Sequence, residues 1–508
     1  MWSLALLPSW WLAGQFRDLP HFGDFHDDAI YLTAARALAE GRGYRQIHLP
    51  EAPAQTKYPP LFPAWLAAGW ALDPRFPDNL PRLLPLVWVW LPALALISQA
   101  VFRDLGFEER WAAALSAVLL LNPMAAYFSV SLMAELMMAT FLMAALALAE
   151  RGRAWASGVA AALAYLTKSM ALPALLTIPL VFGLRRQFHQ ALRFALAAWP
   201  AFFAWSWWTA ANRVPGTAGD YYVDYVGFYL ANHTWADLPA LALQNIPVMV
   251  MSAGRLLVFT PGPSGWSNYL ATLLGLVSLF SFARLGGRFT TYHTFLLAFL
   301  GMLACWNFTP HERFLLPVLP LLTAGLAGEI RHLPRMMRWA QPAALALTAT
   351  LFWLNFDALI EKFPQVAKSE RQAAREREPA YAWIRAHTPA DATFVAARDP
   401  LLYLQTGRTA RGMHFPTRLF YQGQRAEIVR YFSDTPSFMR RHGLTYALVT
   451  DQDHSLDLTP EETAARARAV KQNPALETVF AAGPVRVLRL KSDRAPAALP
   501  AHSPDPPG

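Results

Sequence analysis

Charged residues are scarce in this chain of 508 residues: they make up 16% of it, whereas hydrophobic residues make up 55%. A soluble domain usually carries about 25% charge, so the composition argues against an ordinary soluble protein. Three long runs contain no charge at all, namely 83–102, 111–134 and 194–212. Each run can cross a hydrocarbon core of about 30 Å as a helix, the form that satisfies its backbone in lipid. The sequence therefore predicts a polytopic α-helical membrane protein.

Cysteine is almost absent, because Cys305 is the single one. This excludes a disulfide within the chain and a metal site built from cysteines. A basic stripe is also lacking, although the net charge is +9. The basic residues are spread among loops, as is usual beside a membrane, so no nucleic-acid partner is expected. Residues 1–14 have no basic leader and no small-residue cleavage site, and they predict a retained first span.

The apolar segments predict about 11 membrane spans. They lie near residues 1–14, 83–102, 111–129, 132–149, 154–167, 169–184, 194–212, 266–283, 289–307, 314–330 and 339–356. Alternate loops between them are rich in arginine, and the positive-inside rule places these loops in the cytoplasm. The C-terminal region then lies outside the cell inner membrane or plasma membrane. Segment 241–258 is either a further span or an interfacial helix; we prefer the interfacial helix, because an extra span would move the Arg284 and Arg288 loop outside.

Composition divides the chain after residue 356. Residues 1–356 form the transmembrane domain, with large outer loops at 15–82 and 213–265. Helical patterns then alternate with short strand-like runs, which is typical of a small α/β domain over 357–494. The helical patterns cover 378–387, 424–441 and 460–470, and the strand-like runs cover 393–397, 446–450 and 485–490. The Pro-rich tail, 495–508, is predicted to be disordered.

The first outer loop holds an acidic cluster beside the membrane. Asp27 precedes a helical pattern over 28–40, which Gly41 or Gly43 closes. A helix N-cap is the simplest role for Asp27. However, Asp24, Asp27 and Asp28 crowd together with His26, and like charges bring little structural benefit. The crowding favours a function for this loop.

Several short motifs accompany that cluster. They are Asp27-Asp28, Tyr31, Lys57-Tyr58-Pro59-Pro60, Arg313 followed by FLLPVLPLL, and the segment 376–411. Together they resemble the GT-C superfamily, which includes protein O-mannosyltransferases and the bacterial lipid A aminoarabinose transferase. The resemblance covers most of the chain, although each motif is short. It implies a glycosyltransferase that moves a hexosyl or pentosyl group from a polyprenyl-phosphate carrier to a hydroxyl of a glycolipid, polysaccharide or protein.

The resemblance also implies roles for individual residues. Asp27 corresponds to the general base, with Asp28 as a supporting or substitute carboxylate. Lys57, Arg313 and Lys168 are the outer-side cations suited to the donor phosphate. Basic residues also anchor helices at the interface, and for Lys168 that alternative is equally open.

The remaining substrate-site candidates are Tyr31, His26, Tyr58, Glu135 and His311. Glu135 lies early in an apolar segment, where a carboxylate faces the protein interior or the outer interface.

A metal is not favoured. In the aminoarabinose transferase an acid that helps to hold a metal precedes the Lys-Pro turn, and here that position is Thr56. No tightly held metal is expected, although His26, His48 and Glu51 leave a divalent cation open.

Two other classes remain as alternatives. A transporter or flippase of a lipid-linked sugar would place acids deep in its spans and repeat its halves, and neither pattern is detected. A membrane scaffold that displays the C-terminal domain would not need the acidic cluster opposite isolated cations.

Overall fold

The computed structural model describes residues 2–259, 265–286, 290–336 and 340–491. The predicted disordered tail, 495–508, lies outside the described residues. Through residue 357 the described helices are α1 (Trp2–Gln15), α2 (Asp27–Ala39), α3 (Leu61–Leu72), α4 (Leu80–Trp88), α5 (Trp90–Asp104), α6 (Glu109–Leu120), α7 (Pro123–Ser129), α8 (Glu135–Glu150), α9 (Ala154–Thr167), α10 (Leu172–Leu184), α11 (Phe188–Ala211), α12 (Tyr225–Asn232), α13 (Leu238–Leu257), α14 (Gly265–Arg284), α15 (Thr291–Ala304), α16 (Glu312–Leu315), α17 (Leu319–Met336) and α18 (Ala340–Asp357).

Each predicted span coincides with one of these helices or with two consecutive ones. By length and apolar composition, four described helical stretches are able to cross a membrane: Leu80–Asp104, Trp235–Leu257, Gly265–Arg284 and Glu312–Arg331. Helices α6 and α7, which meet at a bend of 59°, add a fifth if the pair is one span. The apolar helical class is therefore observed, whereas the predicted number of about 11 spans is not established.

The arginine-rich loops meet at one end of the helical body. Helix α8 runs from Glu135 to Glu150 and so connects its two ends. At the Glu150 end, five loop arginines form ion pairs with acids: Arg103–Glu109 (3.0 Å), Arg151–Asp104 (3.1 Å), Arg185–Glu150 (3.0 Å), Arg284–Glu329 (2.6 Å) and Arg331–Glu108 (3.5 Å). Loops that the charge pattern groups together thus lie together, opposite the end that carries Glu135.

Helix α13 contains the segment for which the sequence left two alternatives. Its length and composition fit a span, but both of its halves contact the Glu135 end of the body. Asn245 donates to the carbonyl of Ala304, where α15 ends (3.0 Å), and Asn122, beyond the end of α6, donates to the carbonyl of Leu256 (2.7 Å). These two contacts lie at the Glu135 end, whereas the second half of α13 packs on the middle of α14, where the Val250 carbonyl lies against Gly275.

After α18 and a π-helical turn at Ala358–Lys362, the C-terminal domain (residues 357–491) combines helices with a five-stranded sheet. Its elements are α19 (Phe363–His387), β1 (Thr393–Ala396), α20 (Asp399–Thr406), β2 (Thr409–Arg411), α21 (Arg418–Tyr421), α22 (Arg425–Ser433), α23 (Thr435–Arg441), β3 (Tyr446–Val449), α24 (Pro460–Lys471), β4 (Leu476–Ala482) and β5 (Val485–Leu490). The strand order is β2-β1-β3-β5-β4. Strand β1 is parallel to β2 and β3, and β5 is antiparallel to β3 and β4.

Alternating side chains of this sheet enter two apolar clusters. Phe394 packs with Tyr381 and Ile384 of α19, whereas its neighbour Val395 packs with the cluster that contains Phe432 of α22. The strand-like runs of the sequence correspond to β1, β3 and β5. The sequence predicts neither the strands β2 and β4 nor the helix α20. Strand β2 connects the sheet to the first outer loop, because the Ala410 amide donates to the His48 carbonyl (2.8 Å).

We expect the first outer loop and the C-terminal domain to be labelled from the same side of the membrane, because they are in direct contact. Gln55 is fully buried and unsuitable for labelling. Glu51 and Gln424 are exposed. Cysteines at Glu51 and Gln424, in a Cys305→Ala background, should both react with an impermeant maleimide on intact cells. A cysteine at exposed Arg186, in an arginine-rich loop, should react only after permeabilisation. Labelling of only one of the two outer positions would contradict the topology.

Candidate active site

The turn before α2 determines where Asp27 points. Gly23 and His26 both have positive φ angles, +90° and +62°. The Asp28 carboxylate holds this turn, because it accepts from the amides of Gly23 and Ala29 at 2.8 Å each. Asp27 is the first residue of the helix, and its side chain makes no capping bond. The simple N-cap role for Asp27 is therefore wrong, and Asp28 has the structural contacts instead.

Asp27 instead joins a chain of charged groups. Tyr58 donates its hydroxyl proton to Asp27 Oδ1, and Arg313 Nη2 donates to Asp27 Oδ2. Arg313 Nε also donates to Glu135 Oε1 (2.8 Å), and Lys168 Nζ donates to the same oxygen (2.7 Å). Two carboxylates and two cations thus come together from four separate parts of the chain: the start of α2, the start of α8, the segment that follows α9, and helix α16.

Lys57 completes this arrangement, which we call the charge cluster: Asp27, Lys57, Glu135, Lys168 and Arg313. The side chain of Lys57 is buried, and its Nζ has no hydrogen-bond partner among the described residues. It lies 3.2 Å from the ring centre of Tyr221 and just over 5 Å from those of Tyr58 and Tyr225. Aromatic faces attract a cation but do not replace hydrogen bonds to its ammonium group. Lys57 therefore points to an anionic ligand.

Electrostatics separates the two adjacent aspartates. Burial raises the pKa of Asp27, but Arg313, Lys57 and Lys168 more than offset it and hold that pKa below its usual range. Burial raises the pKa of Asp28 to about 6, despite the hydrogen bonds from Gly23 and Ala29. Burial also lowers the pKa of Lys57 to about 7, although nearby Asp27 acts in the opposite direction. At neutral pH, Asp27 is thus ionised and Lys57 is close to its titration point.

The other predicted site residues divide into two groups. Glu135 belongs to the charge cluster, Tyr58 donates to its Asp27, and the buried ring of Tyr31 lies 4.8 Å from that of Tyr58. His311 is exposed, and no described side-chain contact joins it to the cluster. The structure therefore brings most, but not all, of the predicted residues together.

The candidate ligands of a divalent cation that the sequence offers, His26, His48 and Glu51, do not come together as one ligand set. No group of three or more His, Cys, Asp or Glu within the described ranges is arranged to hold a metal. His26 Nε2 donates to Asp399 Oδ1 (2.8 Å), and His48 Nε2 lies 3.5 Å from Asp399 Oδ2. Glu51 is exposed, and Thr56 donates to the Val223 carbonyl (2.9 Å).

The sequence does not indicate that the C-terminal domain reaches this site. Asp399, at the start of α20, contacts His26 as well as Tyr222, whose hydroxyl donates to Asp399 Oδ2 (2.9 Å). Arg411 of β2 pairs with Asp220 (2.8 Å). Asp399 lies within the segment 376–411 that carries part of the resemblance, but nothing in that segment singles it out, so only the tertiary contacts reveal it.

No protein-family model matches the chain, and no curated protein matches it. Among solved structures, it is similar to ArnT from Cupriavidus metallidurans in the apo state, with 14% identity, coverage of 91% of this chain and 92% of that one, and a TM-score of 0.49. ArnT from the same organism with undecaprenyl phosphate bound has 14% identity and a TM-score of 0.47, and the match covers 91% of this chain and 93% of that one. A third similar structure is the archaeal oligosaccharyltransferase AglB from Archaeoglobus fulgidus, in complex with an inhibitory peptide and a dolichol-phosphate. Its identity is 11% and its TM-score 0.47, and the match covers 87% of this chain and 67% of that one. At these scores the likeness says nothing about individual residues.

Proposed function

We propose that the protein is an integral membrane glycosyltransferase that moves a sugar from a polyprenyl-phosphate carrier to a hydroxyl acceptor on the outer face of the membrane. The charge cluster carries this proposal: three buried or half-buried basic side chains surround Asp27, and one of them, Lys57, has no hydrogen-bond partner in the described part of the chain. A buried cation without a partner is costly, and a bound anion removes that cost.

A sugar phosphodiester matches the charge of the cluster. With Lys57 protonated, three cations face the two carboxylates of Asp27 and Glu135, which leaves a net charge of about +1 for one further anion. During transfer the phosphate gains a second negative charge as it leaves the sugar. Preorganised cations stabilise charge that develops in a transition state, so Arg313, Lys57 and Lys168 are assigned to the leaving phosphate.

Asp27 is assigned as the general base. In the free protein, Arg313 and Lys57 hold its pKa low, which makes it a weak base. A bound phosphate balances these cations, so the pKa of Asp27 rises towards its ordinary value. The acceptor oxygen then attacks the anomeric carbon, and its proton passes to Asp27. The bond from that carbon to the phosphate oxygen breaks, and its electron pair leaves with the carrier phosphate.

An apolar groove supports a lipid carrier. The groove, of about 740 Å³, lies among α6, α13, α17 and α18 and is lined by side chains such as Trp111, Leu326 and Phe352. It extends from Arg331, at the arginine-rich end, to Asn122, at the Glu135 end. Helix α17 follows α16, which carries Arg313. An isoprenoid tail in this groove would bring its phosphate towards Arg313.

A cavity with several charged side chains in its lining supports a hydroxyl-bearing acceptor. It has a volume of about 420 Å³ and lies between residues 23–26 and the C-terminal domain, with Glu370, Arg398 and Asp453 among its lining residues. Carboxylates and guanidinium groups bind hydroxyls as acceptors and donors, respectively. A saccharide of a glycolipid or polysaccharide, or a protein hydroxyl, fits this chemistry.

The direct test uses purified protein in detergent with a radiolabelled polyprenyl-phosphate sugar and an acceptor extract from the membrane. We expect free polyprenyl phosphate to be released as label enters the acceptor. A flippase would instead move the intact labelled lipid across liposomes without releasing the phosphate. Translocation without release would therefore contradict the glycosyltransferase and favour the flippase.

Donor binding should depend on pH through Lys57. The pKa of Lys57 is about 7 in the free protein. A bound phosphate raises that pKa, so binding takes up a proton above pH 7. Donor affinity should consequently be constant below this pH and fall by up to about tenfold per pH unit above it. Lys57→Arg, which stays charged, should abolish this fall, whereas Lys57→Ala should raise the donor KM by about tenfold to a hundredfold.

The matched control is Lys362→Arg, since Lys362 pairs with Asp357 and Glu361 rather than with the charge cluster. It should retain the pH profile of the wild type. If Lys57→Arg kept the fall above pH 7, Lys57 would not be the group that titrates.

A further inference from the structure

Asp399 carries the contact between the C-terminal domain and the residue before Asp27. It is fully buried at the first position of α20. Its Oδ1 accepts from His26 Nε2 (2.8 Å), and its Oδ2 accepts from the Tyr222 hydroxyl (2.9 Å). Both carboxylate oxygens are therefore used: Oδ1 faces the first outer loop, and Oδ2 faces the second and also lies 3.5 Å from His48 Nε2 of the first.

His26 is the residue whose backbone directs Asp27. Its φ of +62° lies in the left-handed region, which is uncommon for a residue with a side chain. Such a conformation persists where its surroundings hold it. The His26 carbonyl also accepts the first bond of α2, from the amide of Ile30 (3.1 Å). A change at the His26 side chain would thus change the direction in which Asp27 leaves the turn.

The second oxygen of Asp399 is connected to the Tyr221 ring beside Lys57 through two intervening side chains, Tyr222 and His414. The Tyr222 hydroxyl accepts from the Gly412 amide and lies close to His414 Nε2, at 3.0 Å each. The His414 ring stacks on Tyr221, with centres 3.7 Å apart. Tyr221 is the ring 3.2 Å from Lys57 Nζ. Asp399 is consequently connected to both Asp27 and Lys57 without touching either.

We propose that Asp399 is a positioning residue for sugar transfer, through which the C-terminal domain holds His26, and with it Asp27, in the orientation that accepts the proton. The inference rests on the proposed function and extends it, because it makes the C-terminal domain part of the active site. The alternative is that Asp399 only docks the domain, as Arg411 does through its ion pair with Asp220.

The test compares Asp399→Ala and Asp399→Asn with Tyr421→Phe. Tyr421 also fastens the C-terminal domain, since its hydroxyl donates to Asn245 Oδ1 (3.0 Å), but it belongs to neither the charge cluster nor the Asp399 contacts. With Asp399→Ala, kcat should fall by about 10- to 100-fold, as for supporting groups of other active sites, while the donor KM stays within about twofold. Asp399→Asn keeps one acceptor oxygen and should restore part of kcat. Tyr421→Phe should match the wild type.

Hydrogen exchange adds a measurement that does not depend on activity. Amides in residues 23–30 should exchange faster in Asp399→Ala than in the wild type, and Tyr421→Phe should leave them unchanged. In a double-mutant cycle with His26→Ala, the effects on kcat should be far from additive, because one contact links the two residues.

The outcomes separate the two proposals. If the wild type transferred no sugar while Asp399→Ala still accelerated exchange at 23–30, the proposed function would fall and the positioning contact would stand. Unchanged exchange in Asp399→Ala would overturn the inference. So would equal losses in Asp399→Ala and Tyr421→Phe, since that result is expected of domain docking alone.

Discussion

Asp27→Asn is expected to give a folded protein that transfers sugar about 10²- to 10⁴-fold more slowly than the wild type, the usual cost of losing a general base. The substitution preserves shape and does not remove a helix cap, because Asp28 makes the bonds to the amides of Gly23 and Ala29. Tyr58 can still donate to the remaining amide oxygen. The loss should appear in kcat at saturating donor. If Asp27 served only as an ion-pair partner of Arg313, Asp27→Asn would change the donor KM and leave kcat intact.

Asp28→Asn is the matched control, since it makes the same chemical change one residue away. The amide side chain that it introduces would keep one acceptor for the turn and lose the other. We expect a lower melting temperature and a much smaller loss of kcat than in Asp27→Asn, because the proton-accepting carboxylate is kept although the turn that directs it loses one of two bonds. Normal transfer by Asp27→Asn together with an inactive Asp28→Asn would move the base to Asp28. Normal transfer by the double variant would remove both aspartates from the mechanism.

The apolar helices follow from the sequence because length and absence of charge are local properties. Strand β2 spans only three residues and β4 has a single fully buried side chain, so neither leaves an alternating pattern strong enough to predict. Helix α13 shows the limit of composition. It is as apolar as a span, yet Asn245 and Leu256 make contacts at one end of the body while Val250 packs on the middle of α14, so composition alone does not assign it.

All five residues of the charge cluster are site candidates on the sequence, whereas their contacts with one another are not predicted by it. Asp27, Lys57 and Arg313 occur in motifs, and the structure places them together. The resemblance assigns the general base to Asp27, but it does not predict that Asp28 holds the turn, because that role depends on the backbone conformation of His26. Asp399 is 373 residues from its partner His26. No spacing pattern reports a contact over such a distance, since it depends on how the two domains pack.

Arg313→Ala should be the most damaging substitution among the cations. Arg313 donates to both Asp27 and Glu135, so its loss leaves both carboxylates without their shared partner. A charge-assisted contact to the donor phosphate is worth about 1.5–3 kcal/mol, which corresponds to a loss of about tenfold to a hundredfold in donor kcat/KM. The freed carboxylates then repel the phosphate and add to that loss. Arg313→Lys should recover part of the activity, because an ammonium keeps the charge but lacks the fork that reaches two acids.

Arg255→Ala provides the comparison, because Arg255 is similarly exposed, 26% against 20% for Arg313, and pairs with Glu312 rather than with Asp27. Its donor KM should remain within about twofold of the wild type, since Arg255 contacts Glu312 and Asn268 rather than the charge cluster. Initial rates over a donor series, with acceptor held saturating, measure both variants. If Arg313→Ala lost stability but kept its donor kcat/KM, Arg313 would be a structural bridge between Asp27 and Glu135. The donor phosphate would then have to be bound by Lys57 and Lys168 alone.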